Sequence, residues 1–216
     1  MNRIPIAIQI ELKDDYLGGP TPVLPWDATA VDQLDTEIRS VFPPSDLITP
    51  DDVRGSHATL PEALATDGWP TIDASRGKVL FTMDNGGAYR DTYRVGHPVL
   101  EGRVIFTNST VGAPDGAFVK LNSPVPDQAA IKAAVAAGYV VRTMADGDTA
   151  QARSNDTTDR DAALVSGATW VSTDYPVPGN PFGTPYFVTI PGGTPARCNP
   201  VNAPSWCTST QIEDLP

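Results

Sequence analysis

The chain has 216 residues, of which 40% are hydrophobic and 19% charged, an ordinary composition for a globular protein. This length is enough for one sizeable core and short for two domains. Acidic residues outnumber basic ones by 26 to 15, and the net charge of -11 argues against a nucleic-acid partner because it repels a phosphate backbone. No apolar run approaches about 18 residues, so we predict no transmembrane segment.

Residues 1–100 are predicted to hold two strands and three helices. Alternating apolar residues predict a strand at about 5–12, and "RGKVLFTMDN" predicts another at 78–83. The segments "ITPDDVRG" and "TLPEALATDGWP" predict two short helices. A longer helix is predicted within "DATAVDQLDTEIRSVF", because its apolar residues fall on one face. These apolar residues are Val31, Leu34, Ile38 and Val41.

The second half repeats a pattern of helix, glycine and strand, in "AAIKAAVAAG-YVVRT" and "RDAALVSG-ATWVSTD". These strands are short and apolar without alternation, which is typical of strands covered on both faces. Helices alternating with such strands predict a parallel α/β sheet or barrel. We predict six strands, whereas a closed (β/α)8 barrel has eight, so the barrel would be incomplete. The four further strands are predicted at about 103–107, 117–121, 138–143 and 169–174.

Charged and amide side chains follow most of the predicted strands. Glu11 and Lys13 lie two residues apart, so their side chains share one face of the first strand. The carboxyl ends of parallel strands meet at one edge, where a carboxylate suits a hard cation and a lysine or arginine suits a phosphate. Structural alternatives are an ion pair between Glu11 and Lys13, or between Arg142 and Asp146. The other polar residues at strand ends are Asp84, Asn85, Asn108, Lys120, Asn122, Ser172 and Asp174.

Two cysteines, Cys198 and Cys207, lie in the segment "RCNPVNAPSWC". They predict a disulfide across a loop, with two unrelated thiols as the alternative, and they are too few for a structural zinc site without histidines. A disulfide is typical of an exported protein, yet "MNRIPIAIQIE" does not have the pattern of a signal peptide. We therefore expect the natural protein to have further residues before Met1.

Four segments resemble the calcium-dependent phosphoinositide-specific phospholipase C family of bacteria and fungi. They are "IQIELKDD", "TLPEALATDGWPTIDASRGKVLFTMDN", "VVRTMADGDTAQARSNDTTDRDAALVSGATWVSTDYP" and "ARCNPVNAPSWC", and together they extend over nearly the whole chain. The family belongs to a superfamily that includes the glycerophosphodiester phosphodiesterases. The resemblance implies a TIM-like (β/α)8 barrel of which this chain has strands three to eight, within residues 1–176. Residues 177–216 would form a Pro- and Gly-rich tail packed on the barrel.

The resemblance also implies a Ca²⁺ ion at the carboxyl edge of the barrel. Glu11 matches the metal-binding glutamate of the third strand, and Lys13 matches the lysine beside it that faces the phosphate. Arg142, on the seventh strand, is assigned to substrate binding, while Met144 stands where we expect a second arginine. The implied reaction cleaves the glycerol–phosphate bond of a phosphoinositide, with an inositol cyclic phosphate as intermediate or product.

The two catalytic histidines of the family have no match in this chain. In the family they act as base on the inositol 2-hydroxyl and as acid on the leaving glycerol oxygen, from positions near the first two strands. His57 and His97 both follow the strand that matches the third, and we interpret them as loop or surface residues. We assign no catalytic residue and expect the chain alone to be inactive or nearly so.

Two other functions stay open. The ending "VSTDYP" is compatible with a glycerophosphodiester phosphodiesterase. A non-catalytic protein could use Glu11, Lys13 and Arg142 to hold an anionic headgroup, and the missing histidines favour this alternative. The resemblance further implies a phospholipid or other phosphodiester substrate, peripheral membrane contact, and a secreted or periplasmic location for the full-length protein.

Overall fold

The computed structural model describes residues 3–16 and 18–213. The chain divides into two compact units, Met1–Phe118 and Val119–Pro216. Both units combine short strands with helices, and the strand pairs in each are parallel. The predicted parallel α/β class is therefore confirmed.

The first unit contains a sheet of four strands. These are β1 (Ile6–Ile10), β2 (Leu47–Ile48), β3 (Val79–Met83) and β4 (Ile105–Phe106). β3 is buried throughout and pairs with β1 along its whole length, from Ile6 opposite Val79 to Ile10 opposite Met83. β2 and β4 pair with successive halves of β3. The sheet thus centres on β3, and the carboxyl ends of β1, β3 and β4 point the same way.

The structure corrects the predicted number of strands, because the six strands predicted from the sequence do not include β2. Leu47 and Ile48 are buried and lie opposite Val79 and Leu80. Two residues cannot show the alternation that identifies a strand in a sequence. The described residues therefore contain seven strands rather than six.

The first unit contains the three helices predicted from the sequence and two further helices. The helices are α1 (Ala28–Val41), α2 (Pro50–Arg54), α3 (Leu60–Thr66), α4 (Ile72–Ser75) and α5 (Gly87–Tyr93), with a 3-10 turn at Pro44–Asp46. The Asp27 side chain caps α1 by accepting a hydrogen bond from the Ala30 amide at 2.9 Å. Val31 and Ile38 are buried as predicted, whereas Val41 is exposed because it is the last residue of the helix.

The second unit contains three strands in the order β5, β6, β7. The strands are β5 (Phe118–Lys120), β6 (Val140–Met144) and β7 (Trp170–Ser172), and the helices are α6 (Gln128–Ala136), α7 (Ala150–Ser154), α8 (Thr158–Val165) and α9 (Ser209–Ile212). The repeated pattern is confirmed, since Gly138 separates α6 from β6 and Gly167 separates α8 from β7. Their φ angles of 87° and 83° lie in the left-handed region that favours glycine at helix ends.

The segment after β7 lies against the helices of the second unit. Tyr186 is fully buried in a cluster that includes Ala145 and Ala152. The side-chain amide of Asn199 donates to the Gly167 carbonyl at 2.7 Å, and that of Asn202 donates to the Val135 carbonyl at 3.0 Å. The first bond satisfies a carbonyl just beyond the carboxyl end of α8, and the second adds to the bond that the Val135 carbonyl of α6 accepts from the Gly138 amide.

A disulfide joins Cys198 to Cys207, with their Cα atoms 6.0 Å apart, which confirms the predicted pair. The predicted division at residue 176 remains a prediction. Within residues 3–16 and 18–213, no helix is both long and apolar enough to cross a membrane.

Candidate functional site

The carboxyl ends of β1 and β3 bring acidic residues of neighbouring strands together. Because Ile10 lies opposite Met83, Glu11 follows beside Asp84, whose backbone amide donates to the Ile10 carbonyl at 2.7 Å. The Gln9 side-chain amide donates to Asp84 Oδ1 at 2.5 Å. We call this region, with the residues that follow β4, the carboxyl edge of the first sheet.

Two asparagine side chains continue the pairing beyond the ends of the strands. Asn85 Oδ1 accepts a hydrogen bond from the Leu12 amide at 2.7 Å, and Asn85 Nδ2 donates to the Leu12 carbonyl at 3.0 Å. Asn108, after β4, donates to the Asp84 carbonyl at 3.1 Å. The backbone of Leu12, between Glu11 and Lys13, is therefore held in place by the side chain of Asn85, which follows β3.

Glu11 and Lys13 form an ion pair at this edge, with 3.0 Å between Nζ and Oε2. Their side chains are 50% and 68% exposed, so solvent screens the attraction between them. The structure thus brings together these two predicted site residues. Such a weakly held pair can exchange its internal contact for a bound cation and a bound anion.

Asp14, the residue after Lys13, fixes the backbone next to the exposed ion pair of Glu11 and Lys13. The Asp14 carboxylate accepts hydrogen bonds from the Tyr89 hydroxyl and from the Trp26 backbone amide. These bonds, that of Tyr89 first, lower the pKa of Asp14, and the same contact raises the pKa of Tyr89. The Trp26 indole also donates to the Lys13 carbonyl at 3.3 Å. The Lys13 backbone is therefore fixed while its ammonium group stays in solvent.

The sequence interpretation missed the roles of Asp14, Trp26 and Tyr89. Asp14 was visible beside Lys13 in "IQIELKDD", but its partner Tyr89 is 75 residues away along the chain. A side-chain contact over that distance leaves no periodic signal in a single sequence. Only the pairing of β1 with β3 reveals it, because α5 follows directly after β3.

Arg142 belongs to the second unit and lies on β6. Its guanidinium donates to Asn122 Oδ1 at 2.5 Å. Asp146, the alternative partner considered from the sequence, accepts hydrogen bonds from the Thr173 hydroxyl, the Asp174 amide and the Tyr186 hydroxyl. These bonds give Asp146 a structural role in the segment that follows β7.

The donors at the carboxyl edge are of the kind that calcium prefers. Glu11 and Asp84 offer carboxylate oxygens directly after two neighbouring strands, and calcium usually takes six to eight oxygen ligands. No group of three histidine, cysteine, aspartate or glutamate side chains comes together as a metal site in the part of the chain that the structure describes. The described residues therefore supply ligand chemistry suited to calcium but only part of a coordination sphere.

Both histidines lie in loops, as the sequence predicts. His57 lies between α2 and α3 and contacts Asp67 Oδ2 at 2.8 Å through Nε2. This hydrogen bond, with the nearby charges of Asp67 and Glu62, raises the pKa of His57. His97 lies between α5 and β4, where Nδ1 contacts the Glu101 carbonyl at 2.6 Å.

Comparison with known proteins identifies relatives at the level of family and fold. The sequence model of the family described as "Phosphoinositide phospholipase C, Ca2+-dependent" matches residues 1–200. No curated protein matches the chain in sequence.

Several solved structures are similar to this chain. A Ca²⁺-dependent phosphatidylinositol-specific phospholipase C from Streptomyces antibioticus has a TM-score of 0.54 at 17% identity, covering 80% of this chain and 65% of that one. The myoinositol complex of a calcium-dependent enzyme from a Pseudomonas species has a TM-score of 0.55 at 17% identity, covering 80% and 60%. This chain thus spans less than two thirds of the length of those structures, and at this identity the likeness shows the fold alone.

Proposed function

This chain belongs to the Ca²⁺-dependent phosphoinositide phospholipase C family, and from that premise we propose that its carboxyl edge binds the calcium ion and phosphate of a phosphoinositide. The family consists of phosphoric diester hydrolases. The observation that carries the proposal is the ion pair of Glu11 and Lys13, which is exposed just after β1. The Trp26 indole fixes the Lys13 backbone by donating a hydrogen bond to its carbonyl. The complete enzyme would cleave the glycerol–phosphate bond of its substrate.

Glu11 is proposed as a calcium ligand, because its carboxylate is a hard oxygen donor half exposed to solvent. Asp84, which lies beside it directly after β3, is the next candidate ligand. When bound, the ion would supply positive charge to the phosphoryl oxygens and favour ionisation of the attacking hydroxyl.

Lys13 and Arg142 are proposed as phosphate-binding residues. The Lys13 ammonium is a point charge on a flexible side chain, whereas the Lys13 backbone is fixed by Trp26. The ammonium group can therefore adjust its position to the phosphate while the backbone stays in place. The Arg142 guanidinium is planar and already oriented by Asn122, which suits it to bidentate contact with phosphate oxygens. Neither role requires proton transfer by these side chains.

Proton transfer is the step for which this chain has no residue that we can assign. His57 is bound to Asp67, and His97 contacts the Glu101 carbonyl in the loop before β4. Neither histidine matches a catalytic histidine of the family, which favours a second function for the chain by itself, the binding of an anionic headgroup without turnover. The disulfide between Cys198 and Cys207 supports our proposal that the full-length protein is secreted or periplasmic.

Calorimetric titration of the chain with CaCl2 and then with myo-inositol 1-phosphate tests this proposal. Lys13→Met is expected to weaken inositol phosphate binding about tenfold, because a charge-assisted hydrogen bond is lost. Lys132→Met is the matched control, since Lys132 is an exposed lysine on α6, and it should bind as the unmodified chain does. Equal binding by Lys13→Met and Lys132→Met would show that Lys13 does not bind the phosphate.

An assay with phosphatidylinositol in mixed micelles tests the absence of turnover. We expect no calcium-dependent release of inositol phosphates by the pure chain. Release that requires calcium and disappears in Glu11→Gln would show that the chain is catalytically complete, and the binding-only function would then be wrong.

A further inference from the structure

The backbone pairing of β1 with β3 ends just before the proposed site. The last bond of this ladder is donated by the Asp84 amide to the Ile10 carbonyl at 2.7 Å. A longer parallel ladder would next pair Leu12 with the backbone that follows Asp84. That backbone instead turns into α5, which begins at Gly87 with a φ angle of 60°, in the left-handed region that favours glycine. Leu12 therefore needs other partners for its amide and its carbonyl.

Asn85 supplies both partners from one side chain. Its Oδ1 accepts a hydrogen bond from the Leu12 amide at 2.7 Å, and its Nδ2 donates to the Leu12 carbonyl at 3.0 Å. A side-chain amide can replace the two-way pairing of a strand because it has both an acceptor and donors. Leu12 is only 3% exposed, so its backbone groups would be left without a partner if the side chain were removed.

Leu12 lies between the two exposed residues of the proposed site. Glu11 and Lys13 are its direct neighbours in the chain, and their side chains meet at 3.0 Å in solvent while that of Leu12 is buried. A displacement of the Leu12 backbone would therefore move both neighbours at once. The placement of the proposed calcium ligand relative to the proposed phosphate ligand depends on this one residue.

We propose that Asn85 is a positioning residue, which acts through Leu12 and fixes the calcium ligand Glu11 and the phosphate ligand Lys13 relative to each other. Asparagine oxygens can bind calcium directly, but Asn85 Oδ1 is directed at the Leu12 amide. The inference rests on the proposed function for the roles of Glu11 and Lys13. Groups that orient a metal ligand without touching the metal commonly change metal affinity by about 10- to 100-fold when they are removed.

Calorimetric titration of Asn85→Ala with CaCl2 and with myo-inositol 1-phosphate tests the inference. Loss of both bonds to Leu12 releases the backbone between Glu11 and Lys13, so both affinities are expected to fall about tenfold. Lys13→Met should weaken inositol phosphate binding without weakening calcium binding. Because Asn85 acts on the phosphate through Lys13, Asn85→Ala should cause little further loss of inositol phosphate binding in a chain that already carries Lys13→Met.

Asn180→Ala is the matched control. Asn180 is partly buried like Asn85, and it also bonds the backbone in both directions. It accepts from the Phe182 amide at 3.0 Å and donates to the Thr184 carbonyl at 2.9 Å. Asn180 belongs to the second unit, in the segment that follows β7. Its removal should lower the thermal midpoint, as removal of Asn85 does, but should leave both affinities unchanged.

Hydrogen exchange of the Leu12 amide, followed by NMR, tests the contact without any ligand. We expect slow exchange in the unmodified chain and in Asn180→Ala, and exchange at least about tenfold faster in Asn85→Ala. Asn85→Gln is the second variant, for use if Asn85→Ala does not fold. It has the same polar groups on a side chain one methylene longer, which displaces Leu12 rather than releasing it, so both affinities should again fall.

Several results would overturn the inference and leave the proposed function intact. They are unchanged binding by Asn85→Ala, weaker binding of one ligand only, equal losses in Asn180→Ala, and a full further loss when Asn85→Ala is combined with Lys13→Met. Leu12 exchange as fast in the unmodified chain as in Asn85→Ala would also overturn it.

Failure of the proposed function would be seen differently. The unmodified chain would then bind neither ligand, or Glu11→Gln and Lys13→Met would bind both ligands as the unmodified chain does. Either result would overturn the positioning role as well, even where exchange of the Leu12 amide depends on Asn85.

Discussion

Two ion pairs of the first unit carry the same charges in opposite environments. Glu11 and Lys13 are 50% and 68% exposed at the carboxyl edge, with 3.0 Å between them. Arg103 and Asp35 are 7% and 12% exposed, with 3.2 Å between Nη1 and Oδ2. The first pair can give up its contact to a ligand at small cost, whereas the second cannot separate without leaving a buried charge.

The neighbours of the buried pair explain why it has a structural role. Asp35 also accepts hydrogen bonds from the Tyr93 hydroxyl and the Val104 amide. The Arg103 guanidinium lies 4.5 Å from the centre of the Tyr93 ring. Burial, together with the charge of Asp35, raises the pKa of Tyr93, so its hydroxyl stays protonated and donates. This network joins α1, α5 and the start of β4.

The largest effect is expected from breaking the buried pair. Asp35→Ala should lower the free energy of unfolding by about 3 kcal/mol, because Arg103 and Tyr93 lose a buried partner. Urea denaturation followed by circular dichroism measures this change. Asp32→Ala is the control, since Asp32 also contacts Arg103 but is exposed, and it should cost less than about 1 kcal/mol. Equal losses would show that burial does not distinguish the two carboxylates.

A smaller effect is expected at a pair of intermediate exposure, His57 with Asp67. His57 is partly buried and Asp67 is exposed, and their hydrogen bond raises the pKa of His57 above its ordinary value of 6.5. The raised pKa stabilises the folded state fully below about pH 6.5, and this stabilisation is lost as the pH rises through the folded value.

Asp67→Asn should remove most of this pH dependence. Urea denaturation at a series of pH values above 6 measures the slope, and NMR titration of the His57 ring reports its pKa directly. The variant should titrate at lower pH than the unmodified chain, because the hydrogen-bond acceptor has lost its charge. An unchanged titration would mean that Glu62, the other nearby acid, is the dominant partner.

The smallest effect on stability is expected at the exposed pair. Glu11→Gln should change the free energy of unfolding by no more than about 0.5 kcal/mol, since solvent already screens the pair. The same variant should bind calcium at least tenfold more weakly by calorimetry, because a carboxylate ligand is replaced by an amide. A loss of stability without a change in calcium binding would make Glu11 a structural residue like Asp35.

The exposed pair was predictable from sequence, and the buried pair was not. Glu11 and Lys13 follow from the two-residue period of a strand, which is a local rule. Asp35 and Arg103 are 68 residues apart, and Asp35 lies on the same face of α1 as Val31 and Ile38. A carboxylate on an apolar face gives no sign of its partner until the packing of α1 and β4 is known.

The secondary structure shows the same distinction between local patterns, which can be predicted from the sequence, and contacts between distant residues, which cannot. The helix, glycine and strand repeats of the second half were predicted, because each repeat carries its own stop signal at Gly138 or Gly167. β2 was missed, because its two residues become a strand only through pairing with β3. α5, which supplies Tyr89 and Tyr93, has no capping side chain at its start and no apolar period long enough to detect.

The amides of Asn199 and Asn202 that complete the ends of α8 and α6 have a consequence for synthesis of the protein. A ribosome makes both helices well before it makes these two residues. Until then the Gly167 carbonyl lacks its bond from Asn199, and the Val135 carbonyl has only its bond from the Gly138 amide. Proteins generally fold from the amino terminus as they emerge. The ends of α8 and α6 therefore reach their final hydrogen bonding only after residues 199–202 have emerged, later than the rest of both helices.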